Sequence, residues 1–405
     1  MKQTGTTFSI LIALSAAHCM NDTLQSIISA AYPILKDDMA LSFGQIGLIT
    51  LVYQSSASVF QPLTGLYFDK RPSPWSLPAG MAFTLAGLLS LAFAPTLPWV
   101  LASVFTIGIG SSVFHPEASR LTSLASGGGR RGLAQSLFQV GGNLGGSLGP
   151  LLAALRIAPY GRRHIADFAI IAVIAICAML PVSRWYRRRL TALKQGGEGM
   201  TEAATTASRP LPVRKTVTSI LILLMLIISK YIYTASLSSF YTFYLIEKFG
   251  VSVQRSQLLL FVFAISTAAG TLLGGPLGDR IGRRYVIWAS ILGVAPFAIM
   301  MPHASLEWTV GLTFCIGLII SSAFPAILVY AQELLPYRLG LVSGLFFGFA
   351  FGVAGIASAV LGNMADIYGI EAIYNVCAYM PLAGVVAWFL PDLKRSQARS
   401  AKTGG

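Results

Sequence analysis

The sequence is short of charge. Only 11% of its 405 residues are Asp, Glu, Lys or Arg, where a soluble domain carries about 25%. Acidic side chains are the scarcest, 15 against 29 Lys and Arg. Cysteine is rare too. Cys19, Cys177, Cys315 and Cys377 are scattered through apolar stretches, with neither metal-ligand spacing nor a disulfide framework. They read as small buried hydrophobes. No H-E-x-x-H element occurs, so zinc-hydrolase chemistry has no anchor, and His115-Pro116-Glu117 does not supply one.

What is present is apolar length. The chain is 55% hydrophobic, with mean hydropathy +0.69. Its apolar runs recur near the ~20 residues that cross a bilayer. Twelve are predicted: 8–33, 44–67, 76–95, 98–122, 132–156, 165–183, 217–245, 256–277, 285–302, 308–331, 340–363 and 372–390. The expectation is an all-α membrane protein with twelve transmembrane helices in two pseudo-symmetric six-helix bundles. The bundles are placed at 1–183 and 216–391, with a linker at 184–215 and a tail at 392–405. The linker is the one long polar, basic stretch. A cleavable leader ending near Ser15-Ala16-Ala17 is the competing reading of the start. The run stays apolar beyond that point, and its loss would leave an odd number of spans.

The formal charge of +14 suggests nucleic acid until its distribution is read. With the amino terminus inside, one side holds Lys70, Arg71, Arg130, Arg131, the basic linker, Arg280, Arg283, Arg284, Arg338 and the tail. The other holds little beyond Lys36, Arg156, Arg162, Arg163, Lys248 and Arg255. This is the positive-inside bias. It excludes a nucleic-acid partner, makes the lipid bilayer the partner and places both termini in the cytoplasm.

The halves repeat at an offset of about 210 residues. Gly65-Leu66-Tyr67-Phe68-Asp69-Lys70 matches Gly275-Pro276-Leu277-Gly278-Asp279-Arg280. Ser111-Ser112-Val113-Phe114 matches Ser321-Ser322-Ala323-Phe324. Gly132-Leu133 with Leu137-Phe138 matches Gly340-Leu341 with Leu345-Phe346. Three matches in order argue duplication, the pattern of transporters with a midplane site between repeats.

Ionisable side chains inside such spans cost several kcal/mol, about 3 and upward, and mark function by default. Asp22 lies about 21 Å along the first span, with His18 on the same face one turn earlier and Asn21 and Gln25 nearby. They read as a proton site or cavity lining, or else as a structural polar lock. The fourth span carries His115, Glu117 and Arg120. The last two, at i,i+3, can pair, so a transport role and a structural ion pair both fit. Pro116 should kink this helix. Lys230 lies about 20 Å along the seventh span, among Tyr231, Tyr233, Ser236 and Tyr241. It reads as a substrate cation, since its depth argues against snorkelling. In the fifth span Gly141, Gly145 and Gly149, followed by Pro150, form one stripe, and Gln135, Gln139 and Asn143 another. The first is a close-packing face; the second lines a cavity or bonds a neighbouring helix.

The loop Gly274-Gly275-Pro276-Leu277-Gly278-Asp279-Arg280-Ile281-Gly282-Arg283-Arg284 resembles the signature loop of the major facilitator superfamily, G-x-L-x-D-R-x-G-R-R. The first-half copy, Asp69-Lys70-Arg71-Pro72, lacks the second Gly-Arg-Arg. The resemblance implies a conformational latch at Asp69, Lys70, Gly275, Asp279, Arg280 and Arg283. The Gly145-x-x-x-Gly149-Pro150 element resembles the antiporter motif of that superfamily. Stretches 77–81, 110–120, 132–143 and 330–336 are similar to bacterial antibiotic-resistance exporters within it. This likeness implies a proton-driven antiporter of the bacterial inner membrane that expels a small phosphonate drug. Protons would be the coupling ion and no cofactor would be needed. Asp22, Glu117, His18 and His115 are the expected proton-coupling set. Lys230, Arg120, Gln135, Gln139, Asn143 and Tyr233 are the expected substrate contacts, in a monomer. A proton-coupled importer of an organic anion, an intramembrane serine enzyme and a sensor are the rivals; no stretch is long enough for a sensor's output domain.

Overall fold

The computed structural model describes residues 6–31, 34–35, 38–41, 43–127, 130–195, 212–251 and 253–392. Among them there is no strand. Twelve helical segments overlie the twelve apolar runs: α1 Phe8–Ala30, α2 Phe43–Lys70, α3 Ser76–Ala92, α4 Leu97–Ala125, α5 Arg131–Leu152, α6 Ala169–Gln195, α7 Val213–Phe249, α8 Val253–Ile281, α9 Arg283–His303, α10 Leu306–Leu334, α11 Leu339–Tyr368 and α12 Ile370–Phe389. Seven helices among the described residues are long and apolar enough to cross a membrane. In lipid a helix satisfies its backbone internally, which is why apolar runs of this length fold this way.

Local departures from regular helix bonding have identifiable causes. Pro116 has no N–H for the carbonyl of Ser112, and the Thr64 hydroxyl of α2 donates to that carbonyl instead, at 2.5 Å. Between α8 and α9, Gly282 has φ +106°, a conformation that a side chain disfavours. The second glycine of the signature loop therefore sets the turn. Helix α6 runs on past its apolar part to Gln195, where the linker was expected to begin at 184. Its basic end holds on through Arg189, whose Nη1 donates to the Leu124 carbonyl at 3.2 Å. The rest of the expected linker, 196–211, and the tail from 393 lie outside the described residues.

The chain forms two compact units. One comprises Met1–Gly129, Leu137–Thr206 and Leu335–Gly348; the other comprises Arg130–Ser136, Ala207–Leu334 and Phe349–Gly405. Each therefore takes in a short helix start from the opposite half of the sequence.

Within the first unit the glycine stripe of α5 lies on α1. A Cβ at Gly141 would meet the Ser15 carbonyl, one at Gly145 the Cys19 carbonyl, and one at Gly149 the Ser26 hydroxyl. The facing residues of α1 (Ser15, Cys19, Thr23 and Ser26) are themselves small. This is small-residue packing, and it brings the α1 backbone against the α5 backbone. Gly146, one position along, has nothing near its absent Cβ. Gly145→Ala should destabilise the purified protein by about 1–3 kcal/mol through overpacking. Gly146→Ala should be neutral or stabilising by up to ~1 kcal/mol through helix propensity. Thermal unfolding in detergent checks the pair; equal melting temperatures would contradict the packing assignment.

Candidate functional site

The α1–α5 approach fixes the first side chain of the site. His18 is 1% exposed. Its Nδ1 lies 2.7 Å from the carbonyl of Phe138, and its ring stacks on that residue's ring at 4.0 Å. Its Nε2 lies 3.2 Å from Oδ2 of Asp22, the i,i+4 neighbour the sequence pointed to. From α4, His115, fully buried, places Nε2 3.2 Å from Oδ1 of the same carboxylate. Phe114, Phe138 and Phe347 surround the two imidazoles. Gly142 completes the fit, since a Cβ there would stand 2.6 Å from His18 Nε2 and 2.8 Å from Asp22 Oδ2.

Proton counting follows from these contacts. A carbonyl only accepts, so His18 carries a proton on Nδ1. Its Nε2 and the Asp22 oxygen would both present lone pairs unless a proton lies between them. The same holds for His115 Nε2 and Asp22 Oδ1. Two neutral imidazoles and a carboxylate hold two protons among them; this arrangement needs at least three. The three side chains bring two ring nitrogens and a carboxylate oxygen within 4.8 Å of one another. Asp22 keeps a side-chain exposure of 21%, so the cage is connected to the surface through its carboxylate.

A hydrogen-bonded chain leads away from it. His115 Nδ1 lies 3.1 Å from both the carbonyl and the hydroxyl of Ser111. The Ser111 hydroxyl is also 3.3 Å from Oε1 of Gln25, to which the Tyr53 hydroxyl donates at 2.6 Å. Ser111 and Tyr53 were not singled out from sequence. Ser111 precedes His115 by one helical turn on the same face, which was a usable signal; Tyr53 gave none.

Glu117 and Arg120 form a second network. The guanidinium holds the carboxylate in two bonds of 2.7 Å and also donates to Tyr186 at 2.5 Å, while Ser76 donates to Glu117 at 3.2 Å. Both charges are buried, 1% and 7% exposed. Each is thus the other's partner. Lys230, 6% exposed, sits over the rings of Tyr231 and Phe324 at 4.8 and 5.3 Å. Among the described residues no carboxylate lies within ion-pair distance of it. Tyr233 lies in the aromatic cluster with Tyr241, Tyr244 and Tyr374, its hydroxyl without a partner among the described residues. On α5, Gln135 is buried, and Gln139 and Asn143 are half-buried. The Pro150 side chain lies outside the described residues.

The signature-loop carboxylates each cap a helix start. Asp279 accepts from the amides of Gly132 and Leu133 at 3.0 and 3.1 Å, and from Arg283 at 2.9 Å. Arg283 also pairs with Glu333 at 3.2 Å. Asp69 accepts from Gly340 and Leu341 at 2.9 and 2.8 Å. The truncated first copy therefore makes the same pair of caps. First-turn amides have no acceptor within their own helix, and a carboxylate also suits the dipole there. Gly275 lets α8 approach α5, its amide donating to Ser136 at 2.9 Å. Lys70 and Arg280 are exposed at the helix ends.

Comparison with known proteins agrees with this architecture. The profile described as Major Facilitator Superfamily matches residues 14–243 and 222–405. The chain is 56% identical over 387 residues to the fosmidomycin resistance protein of Escherichia coli K12, covering 96% of this chain and 94% of that one. It is 41% identical over 394 residues to the uncharacterized MFS-type transporter YfnC of Bacillus subtilis, covering 97% and 95%. Among solved structures it is similar to the transporter FucP in the outward conformation, with TM-score 0.73 and 15% identity over 95% of this chain and 98% of that one. The proton:xylose symporter XylE gives 0.66 and 13% over 97% and 99%. The chain belongs to the Major Facilitator Superfamily. It is a membrane transporter rather than an enzyme.

Breaking one partner of the buried Glu117–Arg120 pair leaves an uncompensated charge, at a cost of about 3–5 kcal/mol. Glu117→Ala and Arg120→Ala should each lower the melting temperature sharply, and the double variant should recover part of the loss. Single variants as stable as wild type would show that the pair does not hold this network together.

Proposed function

We propose that the chain is a proton-coupled exporter, a drug:proton antiporter, of fosmidomycin or a similar small phosphonate or organic anion. It would work as a monomer by alternating access in the bacterial inner membrane, with both termini in the cytoplasm. The observation that carries the reading is the carboxylate of Asp22 held between two imidazoles that need an intervening proton. The relative that is 56% identical, named for fosmidomycin resistance, supports the substrate class.

In this reading the exchanging proton resides on His18, Asp22 and His115. Glu117 stays with Arg120. Lys230 supplies a desolvated cation for the phosphonate, and the amides of Gln139 and Asn143 are further polar contacts. The Asp69 and Asp279 caps form and break as access alternates. Energetics favour export: an inside-negative potential drives an anion outward by about 2.3 kcal/mol per charge per 100 mV, and proton entry adds to it.

Direction needs its own test, because an anion arriving beside Asp22 favours protonation, which is the logic of cotransport. Inverted vesicles with an imposed acid interior should accumulate fosmidomycin. Asp22→Asn should lower that accumulation by at least ~5-fold, the low end of a usual coupling free energy, at equal protein levels. Lys230→Ala should weaken uptake at limiting drug. Accumulation only under the opposite gradient would make the protein an importer. Gradient-driven accumulation by Asp22→Asn at the wild-type level would remove Asp22 from the coupling.

A further inference from the structure

We propose that Ser111 is a positioning residue that makes His115, and not His18, the imidazole that gives up and regains a proton. This rests on the proton-coupled reading above and assigns the exchange within it.

The two imidazoles differ at Nδ1. His18 Nδ1 faces one group, the Phe138 carbonyl at 2.7 Å, which can only accept. His18 therefore keeps its Nδ1 proton in every state that keeps this contact. His115 Nδ1 faces both polar groups of Ser111 at 3.1 Å, a carbonyl that accepts and a hydroxyl that accepts or donates. Charged His115 donates Nδ1–H to the carbonyl. Neutral His115, having released that proton to water, accepts the Ser111 hydroxyl proton and keeps Nε2–H on Asp22. The hydroxyl has a resting acceptor for the other state, Oε1 of Gln25 at 3.3 Å, which the Tyr53 hydroxyl helps hold in place. One residue thus satisfies both protonation states of His115, and its hydroxyl only has to rotate.

The protons balance. With His115 charged, the three side chains hold four protons and carry +1. With one proton given to water they hold three and are neutral, the minimum the geometry allows. His18 and Asp22 face His115 from α1, the Phe347 ring from α11 and the Phe114 ring from its own helix. Tyr53 of α2 connects to it through Gln25 and Ser111. On its own helix, Glu117 is engaged by Arg120. Asp22 contacts His115, and both imidazoles share that carboxylate.

The sequence holds only four histidines, so ring nitrogen NMR on the full-length protein, labelled at histidine, can test this without any substrate. Neutral wild-type His115 should be the Nε2–H tautomer, with Nδ1 an acceptor, while His18 keeps Nδ1 protonated throughout. Ser111→Ala removes the donor to neutral His115 and keeps the carbonyl. Its titration should move towards alkaline pH by about half to one unit, the worth of one hydrogen bond. Ser111→Thr, which retains a hydroxyl, should leave it in place. The Nδ1–H tautomer in neutral wild-type His115 would overturn the proposal even if Ser111→Ala does not fold. So would a Ser111→Ala curve that overlays wild type. Wild-type vesicles that move no protons with drug would instead refute the proton-coupled reading, and leave the His115 tautomer to be decided by the spectra.

Discussion

The structure of the first unit turns on one carboxylate shared by two imidazoles. Asp22 cannot sit 3.2 Å from two ring nitrogens without protons between them, so cation occupancy is built into the packing. Removing the proton does not merely change a charge. Taking a proton from either contact sets lone pairs against each other among three phenylalanine rings. Below three protons a site of this kind has a strong reason to change geometry, a property a coupled transporter can use.

Much else serves to hold that arrangement. The glycine stripe of α5 lets α1 approach closely enough for His18 to reach the Phe138 carbonyl, and Gly142 leaves the space the carboxylate and imidazole occupy. Pro116 frees the Ser112 carbonyl that Thr64 then takes, tying α2 to α4 within a turn of His115. The packing motif and the proton site are one construction. A motif that resembles an antiporter signature therefore has a local physical role here, beside whatever part it plays in larger motions.

The fold was legible because bilayer thickness imposes a length on each apolar run, and duplication repeats the signature loop. Half of the site was legible as well. His18 and Asp22 share a helix face, as do Glu117 and Arg120, and i,i+3 or i,i+4 spacing is local information. The other half was not. Nothing in the sequence says that His115, 93 residues from Asp22, meets the same carboxylate, or that the Glu117–Arg120 pair meets Tyr186 and Ser76. Asp69 looked like a weakened copy because its loop lacks Gly-Arg-Arg. Its partners, the amides of Gly340 and Leu341, are backbone groups, and any sequence offers those. Tertiary partners that are backbone atoms leave no trace in composition.

The central claim is that the proton exchange proposed at Asp22 is coupled to the forming and breaking proposed for the two aspartate caps. The amides of Gly132, Leu133, Gly340 and Leu341 lie at helix starts, where their protection comes from Asp279 and Asp69. Hydrogen exchange at those four amides, corrected for intrinsic rates, is the most direct measurement. Between about pH 6 and about pH 9, a span that brackets imidazole titration, protection should change in wild type and stay flat in Asp22→Asn. The same pH dependence in both proteins, or none in wild type, would contradict the account.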